Sequence, residues 1–213
     1  MSDLTAHDLT DLIRAIDRAI TAARDELNAL DSALGDGDHG TALSIAFADA
    51  ADKVGQLETP TPSAVLQVTS QSLLNRMGGA SGALYGSLFL RAAVAVKDRP
   101  ALTHDDLKAM WQAALAGIVQ RGKAQVGDKT MIDALHPAVQ AFSDAASLPD
   151  SFAQAARAAQ EGAESTSVMV ARHGRARFTG ERAIGHVDAG ARSVAVMFAA
   201  MNSYWQEGHP DEA

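Results

Sequence analysis

Apolar residues fall at Leu9, Leu12, Ile13, Ile16, Ile20, Ala23, Leu27 and Leu30, the three-and-four spacing of a helix that buries one face. The same periodicity predicts further helices over 40–56, 63–77, 81–97, 104–121, 130–147, 150–172 and 188–206, eight in all. Starts are marked by Thr103 with Asp106 in a capping-box-like arrangement, by Pro149 near a first turn, and by Asp188 just ahead of the last apolar run. Pro137 lies inside the sixth helix, where it removes one hydrogen bond, so a kink is expected there. No segment keeps the two-residue alternation of a strand for long. The expected fold is therefore all-α, an up-and-down array of eight antiparallel amphipathic helices forming a single domain over residues 1–213.

Short connections make consecutive helices antiparallel neighbours, so the first, third, fifth and seventh connections should fall at one end of such an array. Composition distinguishes that end. The four connections, 35–40, 78–82, 122–127 and 174–190, hold 12 of the 17 glycines, and the even connections almost none. The even ones carry Pro60, Pro62, Pro100 and Pro149, four of the six prolines. One end is built for the backbone to approach a ligand, the other to turn the chain.

Charge narrows the ligand. The 26 acidic residues outnumber the 18 basic ones, so no basic field exists to hold a nucleic-acid backbone or an anionic membrane surface. An anion would have to be held locally, by metal or by backbone amides. The chain has no cysteine, which excludes a disulfide framework and thiolate catalysis. Residues 1–11 are polar and acidic, and no later segment approaches about 18 uninterrupted apolar residues; a cytoplasmic location is the simplest expectation.

The first connection, from Leu30 to Gly40, sets Asp31, Asp36 and Asp38 within eight residues, with glycines alternating between them. Two carboxylates about 4 Å apart repel by roughly 4 kcal/mol at an effective dielectric near 20, and a hard cation reverses that repulsion. Oxygen ligands without cysteine point to magnesium ahead of calcium or manganese. The plainer alternative is a solvated acidic turn with Asp38 capping the next helix. Gly35, Gly37 and Gly40 spell GxGxxG, but a helix precedes them and carboxylates stand where a pyrophosphate would lie. Asp36 and Asp38 begin like an EF-hand loop, yet the twelfth position is Phe47, where a bidentate Glu is required. The stretch GKAQVGDKT from Gly122 to Thr130 approaches a P-loop, but Asp128 is inserted before the lysine and no strand leads in.

The third connection, Met77 to Gly82, opens a helix, and its glycines would leave amides pointing at an anion with the helix dipole behind them; Ser81 could add a hydroxyl. Alternatively Gly78 and Gly79 simply end the preceding helix. The fifth connection brings Asp128, Lys129, Thr130 and Met131 to another helix start, where a plain cap by Thr130 or Asp128 is equally open. The seventh is long and rich in Arg and Gly, and loops of that kind are usually functional. An arginine facing the acidic loop would supply positive charge to phosphate oxygens; Arg182, within GERAIGH, is the expected one, with Arg175, Arg177 and Arg192 expected at the surface.

Taken together, LGDGDHG, GGASGALYG, GKAQVGDKTMIDAL and GERAIGHVDAGARS resemble the successive motifs of the dihydroxyacetone kinase L subunit, the nucleotide-binding component of that kinase. The resemblance spans most of the chain. It implies a closed barrel of eight antiparallel helices, with ADP or ATP at one end and two magnesium ions between the diphosphate and three aspartates. Asp31, Asp36 and Asp38 would be the metal ligands. His39 and Thr41 would approach the phosphates, with Gly40 also in the nucleotide site and His39 and Arg182 serving catalysis. Ala80 and Ser81 would bind phosphate through backbone and hydroxyl groups, Gly122 and Met131 would line the adenine pocket, and Gly79, Gly82 and Thr130 would also belong to the nucleotide site. Arg182 and the segment from Asp188 to Gly190 would close over the nucleotide. Three positions depart from the family pattern: Ala42 stands where Asn is frequent, and Ala83 and Ala189 stand where Pro is frequent.

The activity so implied is transfer of a phosphoryl group to a short keto sugar, dihydroxyacetone by default or a tetrulose, held on a partner K subunit. ADP would remain bound and be rephosphorylated by a phosphotransferase-system protein (an M subunit), or ATP would exchange freely. The alternative from another class is a non-catalytic module that senses ADP or ATP occupancy. Neither nucleic acid nor membrane is an expected partner.

Overall fold

A computed structural model of the chain describes residues 3–208. Among the described residues nine α-helices follow in order: α1 (Ala6–Ala22), α2 (Arg24–Leu34), α3 (His39–Gly55), α4 (Pro62–Arg76), α5 (Gly79–Ala95), α6 (His104–Gly122), α7 (Ile132–Asp144), α8 (Leu148–Ser165) and α9 (Ala189–Gly208). Two 3-10 helices, Thr166–Val168 and Ala176–Ala183, lie between α8 and α9. Among the described residues there is no strand, only an isolated bridge pairing Leu4 with Leu102. The all-α expectation holds. No helix among the described residues is long and apolar enough to cross a membrane.

Three boundaries correct the periodicity reading. The first predicted helix is two, because Ala23 leaves helical geometry at ψ 1° and α2 restarts at Arg24. Its opening residues Asp25 and Glu26 suit a helix N-terminus, whose partial positive charge favours carboxylates. The apolar stripe continues through the break, so periodicity alone reads one helix. The seventh predicted helix, expected to run to 172, stops at Ser165, where Ser165 Oγ and Thr166 Oγ1 donate to the carbonyls of Gly162 and Ala163. Hydroxyls that bond the preceding turn in this way compete with the helical ladder. The sixth begins at Ile132 rather than 130, with Met131 as its N-cap, while the Ile132 N–H donates to Thr130 Oγ1 and the Thr130 N–H to Asp133 Oδ2. Pro137 does not break α7.

The chain falls into two compact units. One consists of Met1–Arg18 and Ala42–Lys123, in which α5 packs against both α4 and α6. Its core gathers Phe47, Leu73, Tyr85, Leu88, Ala93 and Ile118, with Phe47 and Phe89 edge to face at 6.0 Å. Close approach of α4 and α5 is allowed by Gly86, where a Cβ would sit 2.3 Å from Leu74, and Ser70 Oγ donates to the Gly86 carbonyl at 2.7 Å. The expected capping box at the start of α6 is present, with Thr103 and Asp106 each accepting the other's backbone N–H.

The second unit consists of Ala19–Thr41 and Ala124–Ala213. Here α7, α8 and α9 pack on one another and α2 packs on α9. Phe142, Phe152 and Trp205 form an aromatic run at 5.5 and 5.3 Å. Pro137 leaves the Asp133 carbonyl without its helical donor, and that carbonyl faces Gly162 of α8, where a Cβ would come within 2.3 Å. Arg192 at the head of α9 bonds Glu26 of α2 and Gln160 of α8.

Candidate functional site

The acidic loop between α2 and α3 is organised by Asp31. From the last turn of α2, its Oδ2 accepts the backbone N–H groups of Gly37, Asp38 and His39 at 2.9, 3.0 and 3.2 Å. This carboxylate thus folds the loop and satisfies donors at the start of α3 that would otherwise lack partners. Gly37 is required by the fold of the turn: its φ is +78°, and a Cβ would meet Ser32 Oγ at 2.3 Å. The result is that oxygens of Asp31, Asp36 and Asp38 all lie within 4.8 Å of one another. A hard-oxygen donor set of three carboxylates at this spacing fits a divalent cation of the magnesium class. Asp36 pairs with Arg175, the arginine that the structure sets against this loop although the sequence pattern left it on the surface. Arg182 lies in the second 3-10 helix, exposed, with its Nε 3.4 Å from the Thr179 carbonyl. Its neighbour Ala183 is buried with Leu34 and Ala171 in a small cluster that ties this segment to the end of α2.

At the start of α3, Gly40 lies against the Arg24 carbonyl, where a Cβ would sit at 2.1 Å. Thr41 and Asn28 bond reciprocally: the Thr41 N–H donates to Asn28 Oδ1 at 3.0 Å and Asn28 Nδ2 donates to Thr41 Oγ1 at 2.9 Å. His39 is buried, with Nε2 3.0 Å from Ser193 Oγ, and Ser193 in turn donates to the Gly190 carbonyl at 2.9 Å. With that hydroxyl proton committed, the Ser193 oxygen accepts from His39 Nε2–H. Burial lowers the His39 pKa against the opposing pull of Asp31, which favours the neutral imidazole.

Thr130, Met131, Asp188 and Gly190 join the same unit. Asp133 Oδ2 accepts from the Thr130 N–H at 2.7 Å, and Thr130 Oγ1 from the Ile132 N–H at 3.2 Å, so Thr130 does serve as part of a cap. Met131 is buried, and a Cβ on Gly190 would lie 3.5 Å from its own Cβ. Asp188 caps α9 through the Ala191 N–H at 2.8 Å. Burial pushes its carboxyl up to about 6, with the Ala191 bond and Lys129 opposing and Asp133 and Asp31 reinforcing. The second unit therefore gathers Asp31, Asp36, Asp38, His39, Gly40, Thr41, Thr130, Met131, Asp188 and Gly190 around the starts of α3, α7 and α9.

The other unit carries the remaining candidates. Gly78 is the N-cap of α5 and Met77 the extended C-cap of α4, so the glycine pair opens a helix rather than closing one. Neither Gly78 nor Gly79 has an atom within 4 Å of a would-be Cβ, and Gly79 has φ +64°. No side chain caps this end. Gly79, Ala80 and Ser81 form its first turn, which presents backbone N–H groups of the kind that bind anions. Gly82 is different, since its Cβ would strike the Met77 carbonyl at 2.4 Å. Gly122 ends α6 beside Leu84.

Sequence reasoning passed over Asn28, Asp133 and Ser193 and expected Arg175 at the surface, although it pairs with Asp36. Asn28 and Ser193 sit mid-pattern in helices and carry no local signal, while Asp133 stands at the fourth position after Lys129 and reads as an ordinary first-turn acid.

The DAK2 domain family matches residues 33–203. The chain is 39% identical over 175 residues to the PEP-dependent dihydroxyacetone kinase, ADP-binding subunit DhaL, of Escherichia coli (strain K12), covering 80% of this chain and 83% of that one. It is 40% identical over 179 residues to the PEP-dependent dihydroxyacetone kinase 2, ADP-binding subunit DhaL, of Listeria innocua, covering 82% and 83%. Among solved structures, the dihydroxyacetone kinase from C. freundii in complex with AMP-PNP and Mg2+ superposes with a TM-score of 0.75 at 27% identity, over 95% of this chain and 35% of that one. The chain belongs to the DAK2 domain family, in the group of the DhaL subunits of dihydroxyacetone kinases.

Proposed function

We propose that this chain is the nucleotide-binding subunit of a kinase for dihydroxyacetone or a similarly short keto sugar. The observation that carries the reading is the acidic loop: three carboxylates brought within 4.8 Å of one another by a turn that Asp31 itself folds. Carboxylates held this close repel, and a divalent cation relieves that repulsion. Asp31, Asp36 and Asp38 would hold two magnesium ions, which when bound supply charge neutralisation to nucleotide phosphates. The relatives named for ADP binding, and the neighbour solved with AMP-PNP and Mg2+, support ADP or ATP as the nucleotide.

In this reading the whole chain, 1–213, works as one cytoplasmic nucleotide-binding domain. His39, held neutral by burial and oriented by Ser193, presents its ring at the head of α3 without adding positive charge. Gly40 and Thr41 supply the first-turn amides and hydroxyl beside it, and in the other unit the first turn of α5, Gly79 to Gly82, offers amides suited to phosphate oxygens. Thr130 and Met131 serve the nucleotide within the second unit, where Asp188 and Gly190 fix the head of α9, and Gly122 is a candidate contact in the other unit. Arg175 and Arg182 are the cations available to transferred phosphate, and Arg175 is the one positioned by Asp36. Catalysis is then chiefly positioning and charge stabilisation. The sugar is held by a partner K subunit, and ADP stays bound and is rephosphorylated by a phosphotransferase-system M subunit, in keeping with the PEP dependence named for the relatives.

Replacing Asp36 with Ala removes one ligand and leaves the hydrogen bonds of Asp31 in place. Its expected effect is loss of magnesium-dependent ADP binding by calorimetry with helical circular dichroism unchanged. Wild-type affinity in that variant would overturn the site.

A further inference from the structure

Lys129 has no role in the site as read above, yet its placement is costly. Its φ is +59°, a left-handed conformation that L residues adopt at a cost. Its side chain is buried, with the residue 1% exposed, a state lysine adopts almost only when paired. The partners are two backbone carbonyls distant in sequence: Nζ donates to Thr166 and to His186, each at 2.5 Å. Burial lowers the ammonium pKa, while Asp188 and Asp133 favour its charged form. Carbonyls surrounded by carboxylates form the ligand set of a hard cation. Here the cation comes on a side chain.

The two carbonyls bracket the segment that delivers Asp188. Thr166 Oγ1 accepts from the Asp188 N–H at 2.9 Å, and the Gly185 N–H donates to the Ser167 carbonyl at 2.7 Å. A positive charge between the carbonyls of Thr166 and His186 closes this loop upon itself at both ends. The fifth connection is tied to the same segment by Asp128, whose carbonyl accepts from the Arg172 N–H at 3.1 Å and whose Oδ2 lies 3.1 Å from His173 Nε2. We propose that Lys129 is a built-in monovalent cation, a positioning residue whose ammonium holds the segment from Thr166 to His186 so that Asp188 and Gly190 stand correctly in the nucleotide site. This rests on the nucleotide-binding reading of that site.

The test uses the full chain with Lys129→Ala and Lys129→Met, Mg·ADP as the titrant, and propylammonium as the probe, since it replaces the atoms lost from Lys to Ala. Removal of a charge-assisted hydrogen bond should weaken Mg·ADP binding by roughly tenfold to a hundredfold. Propylammonium, and not 1-propanol at the same concentration, should restore affinity to K129A. K129M keeps the apolar stem and stands in if K129A does not fold; in it the Asp188 and Gly185 amides should exchange with solvent faster than in wild type. Wild-type affinity and wild-type exchange in K129M would overturn the proposal, as would rescue of K129A by 1-propanol equally well. Should the wild-type chain itself fail to bind Mg·ADP, the nucleotide reading falls, and the exchange rates of the two amides in K129M still decide the role of the lysine.

Discussion

Asp188 shows how one residue can serve the fold and burden it together. As an N-cap it satisfies the Ala191 N–H, yet burial pushes its carboxyl up to about 6 from an ordinary 3.8. Between those values the folded chain binds the proton more tightly than the unfolded one, so stability falls as pH rises through the window. The full difference is about 3 kcal/mol at 1.36 kcal/mol for each pKa unit. Asp188→Asn keeps a capping side chain and removes the titration. Urea unfolding of magnesium-free protein between pH 4 and 7 should therefore show wild type losing stability relative to D188N as pH rises; parallel curves would refute the burial account. The residue's position just ahead of the last apolar run is legible in the sequence, but its desolvation is not. That burial, and the charges of Lys129, Asp133 and Asp31 that act on the carboxyl beside it, are set by the fold.

Two helix glycines show what packing demands of an element. Gly162 of α8 faces the Asp133 carbonyl, a backbone atom that Pro137 has left without a donor, and a Cβ would come within 2.3 Å. Gly86 of α5 faces the end of the Leu74 side chain, also at 2.3 Å, but a half-exposed leucine can turn away. Alanine gains up to about 1 kcal/mol of helix propensity over glycine at either site, whereas forcing backbone apart costs about 1–3 kcal/mol. Gly162→Ala should lower the thermal midpoint by several degrees and Gly86→Ala should change it little. Equal effects in a melting series would mean that α7 and α8 are less tightly opposed than described. At this scale the sequence was a good guide wherever a local rule acts: Thr103 with Asp106, Pro149 and Asp188 each mark a true helix start. It erred at Ala23 and beyond Ser165, where an apolar stripe runs on although the backbone turns aside.

For the whole molecule, the acidic loop was legible in the sequence, and Asp31, Asp36 and Asp38 do converge. Unread in the sequence was the division of labour among them. Asp31 reads as one ligand among three, yet it spends one oxygen on three backbone N–H groups to build the loop. Likewise the pairing of Asp36 with Arg175 follows from how the segment after α8 folds through two 3-10 helices, a course no periodicity describes. An array that keeps its carboxylates close in this way should bind nucleotide only together with a divalent cation. The most direct measurement is a calorimetric titration of ADP into the purified chain, once with magnesium and once with a chelator. The account predicts saturable binding near one ADP per chain with magnesium and none with chelator; equal binding in both would contradict the carboxylate site, as would no binding in either.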